Sequence, residues 1–181
     1  IALSSSATNL KAGQTATITF TLSESVSDFD VGDITVSGGT LSSFTVVSGT
    51  SYTATFTPST NSTTNGVISV ASTTFTDAAG NDNADGSEGN NTATITVDTV
   101  LPTIALSSSA TNLKAGQTAT ITFTISESVS DFVVGDITVS GGTLGSLSGS
   151  GTSYTVVFTP NDGSTANGVI SVADTKFTDA A

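Results

Sequence analysis

The chain contains no cysteine, histidine, methionine or tryptophan, and only three of its 181 residues are lysine or arginine. Without cysteine it can form neither disulfides nor thiolate metal sites. Without histidine or a cysteine nucleophile, the commonest acid–base and covalent catalysts are missing as well. Paired carboxylates remain available, as in glycoside hydrolysis, but no tryptophan platform accompanies them. We therefore predict that the chain is not an enzyme.

Acidic residues dominate the charge, because fifteen Asp and Glu give a formal net charge of −12. Such a chain cannot neutralise a run of phosphates, which excludes nucleic acid as a partner, and anionic membrane surfaces repel it. Cations are its natural partners. The longest apolar runs span only a few residues, so we expect no transmembrane helix, and no signal peptide is visible at Ile1.

The sequence contains a long internal repeat. Residues 1–41 recur as residues 104–144 with two changes, Leu22 to Ile125 and Asp30 to Val133. An offset of this size corresponds to a whole domain and is too long for a solenoid unit. The repeat predicts two domains, each with its own core. It also predicts that they belong to a longer array whose function is to provide length and spacing.

Alternation of apolar and polar residues runs through both copies. In residues 15–22, Ala, Ile, Phe and Leu fall on one face and Thr on the other, which predicts a half-buried strand. No window shows the period of a helix. The strands predicted in the first copy, lettered A to G, are residues 1–7, 15–23, 32–37, 41–47, 51–57, 66–76 and 92–98. The predicted fold is all-β, with tandem seven-stranded immunoglobulin-like or fibronectin-like β-sandwiches joined by a short linker.

The predicted domains are an Ig-like repeat at 1–98, a linker at 99–103 and a second Ig-like repeat at 104–181. Pro102 and the lack of Gly predict that the linker is semi-rigid. The second copy lacks a counterpart of strand G, which would leave an unpaired strand edge. The predicted aromatic members of the two cores are Phe20, Phe29, Tyr52, Phe56, Phe75, Phe123, Phe158 and Phe177.

The acidic residues concentrate at one end of the predicted sandwich. If strands A to G alternate in direction, the BC and FG loops lie at the N-terminal pole, beside the incoming linker. Eight carboxylates of the first copy belong to this pole: Glu24, Asp28, Asp30, Asp33, Asp77, Asp82, Asp85 and Glu88. Asp98 ends strand G and would reach the same pole of the second copy, where the matching acids are Glu127, Asp131, Asp136 and Asp179.

Carboxylates that converge without a basic residue repel one another unless a cation intervenes. Calcium suits such a cluster because it takes oxygen ligands in flexible geometry, whereas Mg²⁺ demands tight octahedral geometry and Zn²⁺ favours His or Cys. At the junction between the copies the strongest candidate ligands are Asp98, Glu127 and Asp179, followed by Asp136.

Other roles stay open for several of these acids. Asp77 can simply cap its own turn, because Asp favours turns through local hydrogen bonds. Solvated charge is the more typical role for the remaining ones, which are Asp28, Asp131, Asp82, Asp85 and Glu88.

Several short runs together resemble bacterial Ig-like repeats, the tandem extender domains of large RTX-type adhesins that Gram-negative bacteria export by type I secretion. The runs are Ile18–Glu24, Gly32–Leu41, Phe75–Asn81, Val97–Thr99 and Pro102–Thr103. The resemblance implies calcium ligands at Glu24, Asp33, Asp77 and Asp98 and at their counterparts in the second copy, Glu127, Asp136 and Asp179. The linker pair Val100-Leu101 and the acidic insertion 81–91 depart from the family pattern.

The resemblance implies an extracellular, monomeric spacer in a stalk on the bacterial cell surface. Its partners would be neighbouring repeats of the same chain and calcium ions, with no direct membrane contact. The alternative function is a recognition module that binds a glycan or protein in a calcium-dependent way through the pole loops.

Overall fold

A computed structural model describes residues 1–84 and 89–181, which fold into two compact units, Ile1–Val100 and Leu101–Ala181. Both units are built from β-strands, with one 3₁₀ turn in each. The expectation of an all-β, tandem sandwich is confirmed. Within the described residues, no helix is long and apolar enough to cross a membrane.

The first unit contains two four-stranded sheets, with strand orders β1-β3-β6-β5 and β2-β8-β7-β4. Its strands are β1 Ala2–Ser5, β2 Asn9–Lys11, β3 Ala16–Thr21, β4 Ile34–Ser37, β5 Gly39–Ser48, β6 Ser51–Pro58, β7 Gly66–Val70 and β8 Thr92–Asp98. Neighbouring strands are antiparallel except β2 and β8, which pair in parallel. The predicted strands A, B, E and D thus form one sheet, and C, F and G form the other.

Predicted strand A is divided between the two sheets. Residues 2–5 pair with β3, whereas residues 9–11 cross to the other sheet and pair with β8. The hydroxyl of Ser5 donates to the carbonyl of Ala7 over 2.7 Å at the crossing point. The crossing brings Leu10 into the core, where only 4% of its surface remains exposed. Burial of this apolar side chain favours the division of the strand.

Predicted strand F ends earlier than expected, at Val70 instead of residue 76. The side chain of Asn83 replaces the ladder bonds beyond that point. Its Oδ1 accepts from the backbone N–H groups of Thr74 (2.7 Å) and Phe75 (3.1 Å), and its Nδ2 donates to the carbonyl of Ala71 (2.9 Å). These backbone groups are therefore satisfied without a strand.

Aromatic side chains fill the core of the first unit, and Phe29 lies at the centre of the cluster. Its ring centroid is 5.0 Å from that of Tyr52, 5.2 Å from that of Phe75 and 5.6 Å from that of Phe20. Phe56 is fully buried against two glycines, because a Cβ at Gly66 would lie 2.4 Å from its ring. The predicted core members of this unit are confirmed.

The second unit has a complete first sheet, with strand order β12-β13-β10-β9, and a second sheet of two strands, β11-β14. Its strands are β9 Ile104–Ser108, β10 Ala119–Val129, β11 Ile137–Ser140, β12 Gly142–Leu144, β13 Ser148–Pro160 and β14 Val169–Val172. Phe123 and Phe158 are buried as predicted, but Phe177 is only half-buried. Among the described residues of the second unit, the second sheet consists of β11 and β14 alone, whereas β2 and β8 also belong to the corresponding sheet of the first unit.

Candidate functional site

The candidate site is the N-terminal pole of the first unit, where the BC loop meets the chain beyond β7. Val26 of the BC loop bridges to Asp77, which pairs this loop with the chain beyond β7, and Thr76 bridges to Asp82 within that chain segment. Between the loop and this segment lies a cleft of about 320 Å³. It is lined by Ile1, Leu22, Ser23, Glu24, Val26, Phe75, Asp77, Asn81, Asp82, Asn83 and Ala84.

Asp77 organises the turn that follows β7. Its Oδ1 accepts from the N–H groups of Ala79 and Asn81, and its Oδ2 accepts from the Asn81 side chain, all over 2.8 Å. The pKa of Asp77 is held below its ordinary value, mainly by the hydrogen bond from the Asn81 side chain and next by the hydrogen bond from the Asn81 N–H. The turn-capping role that the sequence left open is therefore present. In the second unit Asp179 begins the same turn, since its Oδ1 accepts from Ala181 N–H over 2.8 Å.

Asp28 connects the BC loop to the chain beyond β7, which corrects its interpretation as solvated charge. Its Oδ2 accepts from both the hydroxyl (2.8 Å) and the N–H (2.9 Å) of Thr76. Asp131 makes the equivalent bonds to Thr178 in the second unit, at 2.8 Å and 2.9 Å. One signal in the sequence could have indicated this contact. The pair Asp28 and Thr76 of the first copy recurs as Asp131 and Thr178 in the second.

These bonds change the acidity of both carboxyl groups. The Thr76 hydroxyl, followed by the Thr76 N–H, lowers the pKa of Asp28. In the second unit, the backbone N–H of Thr178 is the main cause of the lowered pKa of Asp131. Donation to a carboxylate stabilises its charged form, so both contacts are strongest when the acid is ionised.

Asp33 and Asp136 cap the backbone of short 3₁₀ turns. The turns are Val31–Asp33 and Val134–Asp136, directly before β4 and β11. Asp33 Oδ2 accepts from Asp30 N–H over 2.8 Å, and Asp136 Oδ2 accepts from Val133 N–H over 2.9 Å. Asp33 does not line the cleft that holds Glu24 and Asp77.

The other predicted ligands lie at strand ends. Asp98 ends β8, and its Oδ1 accepts from Val100 N–H over 3.2 Å. Glu127 is half-buried near the end of β10, with its Oε1 shielded from solvent. Asp98 belongs to the first unit, whereas Glu127, Asp136 and Asp179 belong to the second, so their meeting at a junction remains a prediction. Asp85 and Glu88 lie outside the described residues.

The chemistry of the cleft suits a hard cation. Glu24, Asp77 and Asp82 contribute carboxylates, Asn81 contributes an amide oxygen, and no lysine or arginine is among the residues that line it. Across residues 1–84 and 89–181, however, no three acidic side chains are grouped closely enough to hold a metal ion. The donor atoms therefore match calcium in kind, and the loops do not assemble them into a preformed cage.

The paired sheets, their ABED and CFG strand order and the aromatic core define an immunoglobulin-like sandwich. The family model described as bacterial Ig-like domain matches residues 1–95 and again residues 98–181. The chain therefore belongs to the bacterial Ig-like domain family and carries two copies of the domain.

The solved structures that are similar to the chain include two bacterial adhesins. The FdeC adhesin of Escherichia coli, which elicits protection against urinary tract infections, matches with 17% identity and a TM-score of 0.50 over 94% of this chain and 62% of that chain. The adhesin InvE of Yersinia pseudotuberculosis matches with 17% identity and a TM-score of 0.38, over 87% of this chain and 50% of that chain. The chain thus spans less than two thirds of either structure, and the likeness to FdeC concerns the fold alone. No curated protein sequence matches the chain significantly.

Proposed function

We propose that the chain is a structural extender, a spacer segment in the extracellular stalk of a large bacterial surface adhesin of the RTX type. The observation that carries the proposal is the near-exact repetition of the first 41 residues of an Ig-like domain, residues 1–41 returning as 104–144. A duplicated sandwich adds length, whereas a ligand-selective site would need differences between the copies. We propose no catalytic role for it.

The attachment of the linker supports a spacer. Thr99 is 6% exposed, and its hydroxyl donates to the carbonyl of Ser59 over 2.7 Å while Ser62 N–H donates to it over 2.9 Å. Within the second unit, Thr103 N–H donates to the Ser126 hydroxyl over 2.8 Å, and Ser126 N–H donates to the Thr103 carbonyl over 2.9 Å. Both ends of the predicted linker are thus fixed to their own domains, and only residues 100–102 lie between the two anchors.

We further propose that calcium regulates the stiffness of the spacer. The ligands would be Glu24, Asp33, Asp77, Asp98, Glu127, Asp136 and Asp179. Calcium bound there would offset the repulsion among carboxylates at the poles and would stabilise the folded domains by mass action, because it binds the folded state.

The calcium proposal is tested by melting temperature and small-angle scattering in millimolar calcium and in chelator. We expect calcium to raise the melting temperature and to lengthen the maximum dimension. The double variant Asp98→Asn, Asp179→Asn should lose most of the response, whereas Asp162→Asn with Asp174→Asn removes the same charge elsewhere and should keep it. An unchanged melting temperature and dimension in the parent chain would exclude the calcium role and leave the spacer role standing.

The cleft at the pole favours one second candidate, a calcium-dependent recognition module for a glycan or protein. Its volume of about 320 Å³ and its polar lining could accommodate a small polar group. Saturable, calcium-dependent binding of the chain on a glycan array would support this candidate over the spacer. Binding that persists in chelator, or no binding, would reject it.

A further inference from the structure

One edge strand of the first unit differs from its counterpart in the second. Strand β5, Gly39–Ser48, lies at the edge of the sheet β1-β3-β6-β5, and the described residues form no strand beyond it. An edge strand presents N–H and C=O groups that can pair with a further strand. The corresponding strand of the second unit, β12, has only the three residues Gly142–Leu144. A very short edge strand is one of the ways in which proteins prevent such pairing.

The two copies diverge in sequence at this strand. Residues 1–41 and 104–144 differ at two positions, but residues 42–48 are Ser-Ser-Phe-Thr-Val-Val-Ser where residues 145–150 are Gly-Ser-Leu-Ser-Gly-Ser. The first copy thus has aromatic and β-branched residues, which favour strands, where the second has glycine, which weakens them. The long edge strand is therefore specific to the first copy.

Two consecutive valines near the end of β5 are exposed. Val46 and Val47 each keep 62% of their surface in contact with solvent, whereas Phe44 of the same strand packs against the core. An uncharged edge strand without proline and with exposed apolar side chains is the type that pairs with other chains. Burial of the two valines against another strand would be favourable.

Bulges limit the length of the edge that can pair. The register of β5 against β6 shifts around Ser43, whose φ is 52°, and again after Val46. Next to the first bulge, the ring of Phe44 stacks on that of Tyr52 with a centroid distance of 5.8 Å. A bulge bends a strand and interrupts pairing along it. We therefore expect a short outward pairing that involves only residues 45–48.

The distribution of charge indicates which kind of chain can approach this edge. Residues 34–76 contain no charged residue, although the whole chain has a formal net charge of −12. Two copies of so acidic a chain repel each other, and the edge of β5 lets them approach without bringing carboxylates together. A basic protein would instead be attracted to the acidic pole. The uncharged edge thus favours a second copy of this chain.

We propose that the edge of β5 is a self-association site, at which residues 45–48 of two copies of this chain pair antiparallel about a twofold axis. The pairing joins two sheets into one, and Val46 and Val47 of each copy pack against those of the other. Because the segment pairs with itself, the contact is complete with two chains. The site is separate from the pole and requires no calcium, and it departs from the monomer that the family resemblance implies.

The first test is sedimentation equilibrium of the full chain from micromolar to millimolar concentration. Chelator is present, so that calcium cannot bridge carboxylates of two chains. We expect a reversible equilibrium between monomer and dimer that strengthens as salt is added, because salt screens the repulsion between acidic chains. Hydrogen exchange at high concentration should show new protection of the amides of residues 45–48 and no change at residues 148–150.

Paired substitutions test whether the two valines form the contact. Val46→Asp with Val47→Asp should abolish the dimer, and Val46→Lys with Val47→Lys should abolish it as well, because like charges then face each other across the axis. An equimolar mixture of the two variants should restore a dimer. The control is Val133→Asp with Val134→Asp, at consecutive exposed valines that precede β11 and do not lie on a sheet edge. This control should dimerise like the parent chain.

Several results would overturn the proposal. They are a parent chain that stays monomeric over the whole concentration range, an acidic variant that dimerises as well as the parent, and a mixture of the two variants that stays monomeric. Dimerisation that weakens with added salt would also overturn it, because the contact would then join opposite charges. None of these results bears on the spacer role, which does not depend on self-association.

Discussion

At the scale of single residues, the two copies differ at one informative position, where Asp30 of the first unit corresponds to Val133 of the second. In the first unit the side chain of Asp30 accepts from Gly32 N–H over 2.6 Å and caps the 3₁₀ turn before β4. The matching residue of the second unit, Val133, makes no side-chain cap and is 54% exposed. The turn survives the change because Asp136 still accepts from Val133 N–H.

The substitution Val133→Asp should therefore stabilise the second unit. It restores a capping bond and removes an exposed apolar side chain, and we expect a gain of about 0.5–1 kcal/mol in the free energy of unfolding. Urea denaturation of the chain measures the change. The matched control is Asp30→Val, which should destabilise the first unit by a similar amount, and equal stability of all three chains would refute the argument.

The contact between Asp28 and Thr76 predicts a dependence on pH. The folded-state pKa of Asp28 is lowered, so its contribution is fully present above the unfolded value of about 3.9 and is lost as the pH falls through the folded pKa. At about pH 7, Asp28→Asn should melt at a lower temperature than the parent chain, and the gap should close below about pH 4. Asp174→Asn removes the same charge from an exposed position, and we expect no such gap. A gap for Asp28→Asn that stays constant on acidification would contradict the account.

Thr99 shows how a single buried hydroxyl fixes the start of the linker. Thr99→Val keeps the shape of the side chain but removes its bonds to the backbone of Ser59 and Ser62. We expect a loss of about 0.5–1.5 kcal/mol from the first unit in thermal or urea unfolding. Thr103→Val is the control, because Thr103 contacts Ser126 through its backbone and its side chain is exposed. Equal effects of the two substitutions would show that the hydroxyl is not the anchor.

At the scale of strands and loops, the alternation of apolar and polar residues predicted a strand well where the alternation is uninterrupted. Strand G was predicted at 92–98, the bounds that β8 has, because its apolar side chains alternate without interruption. Strand F was predicted too long because the segment after Val70 contains another apolar residue, Phe75. That residue is out of phase with the strand, whose buried positions are Gly66, Ile68 and Val70. Beyond Val70 the backbone groups of residues 71, 74 and 75 bond to the side chain of Asn83, and an alternation of apolar and polar residues does not indicate such a partner.

The candidate site could be predicted only in part, for a similar reason. The sequence placed Glu24 and Asp77 at one pole, and both line the same cleft. It did not indicate that Asp28 is held by Thr76, because the bond joins residues that lie 48 positions apart. Acidic residues have the same appearance in a sequence whether they cap a turn, join two loops or remain in solvent. Only the folded backbone distinguishes these roles.

The role of Asn83 gives a prediction at this scale. Asn83→Ala removes the acceptor for two backbone N–H groups and the donor to the carbonyl of Ala71. We expect the first unit to lose about 2–3 kcal/mol and the amides of residues 74 and 75 to exchange faster. Asn81→Ala, which removes a side-chain bond to Asp77 in the same loop, serves as the control and should cost less. If both variants exchange like the parent chain at residues 74 and 75, Asn83 does not end the strand.

At the scale of the whole molecule, the chain combines two domains that have separate cores with a connection anchored at both ends. Each core is a single cluster of aliphatic and aromatic side chains within its own unit. Thr99 is fixed to the first unit and Thr103 to the second, so that the intervening residues 100–102 determine how freely the domains move. A spacer requires the motion of one domain relative to the other to be small, whereas a flexible tether allows this motion to be large.

The most direct test of the spacer role is a distance distribution between the two domains. Because the chain has no cysteine, Thr17→Cys and Thr120→Cys introduce two unique labelling sites at exposed positions of β3 and β10. Electron–electron double resonance between spin labels at these positions, in millimolar calcium, should give one narrow distribution. A broad distribution that extends over the range accessible to a flexible linker would contradict the proposal that this chain is a structural extender.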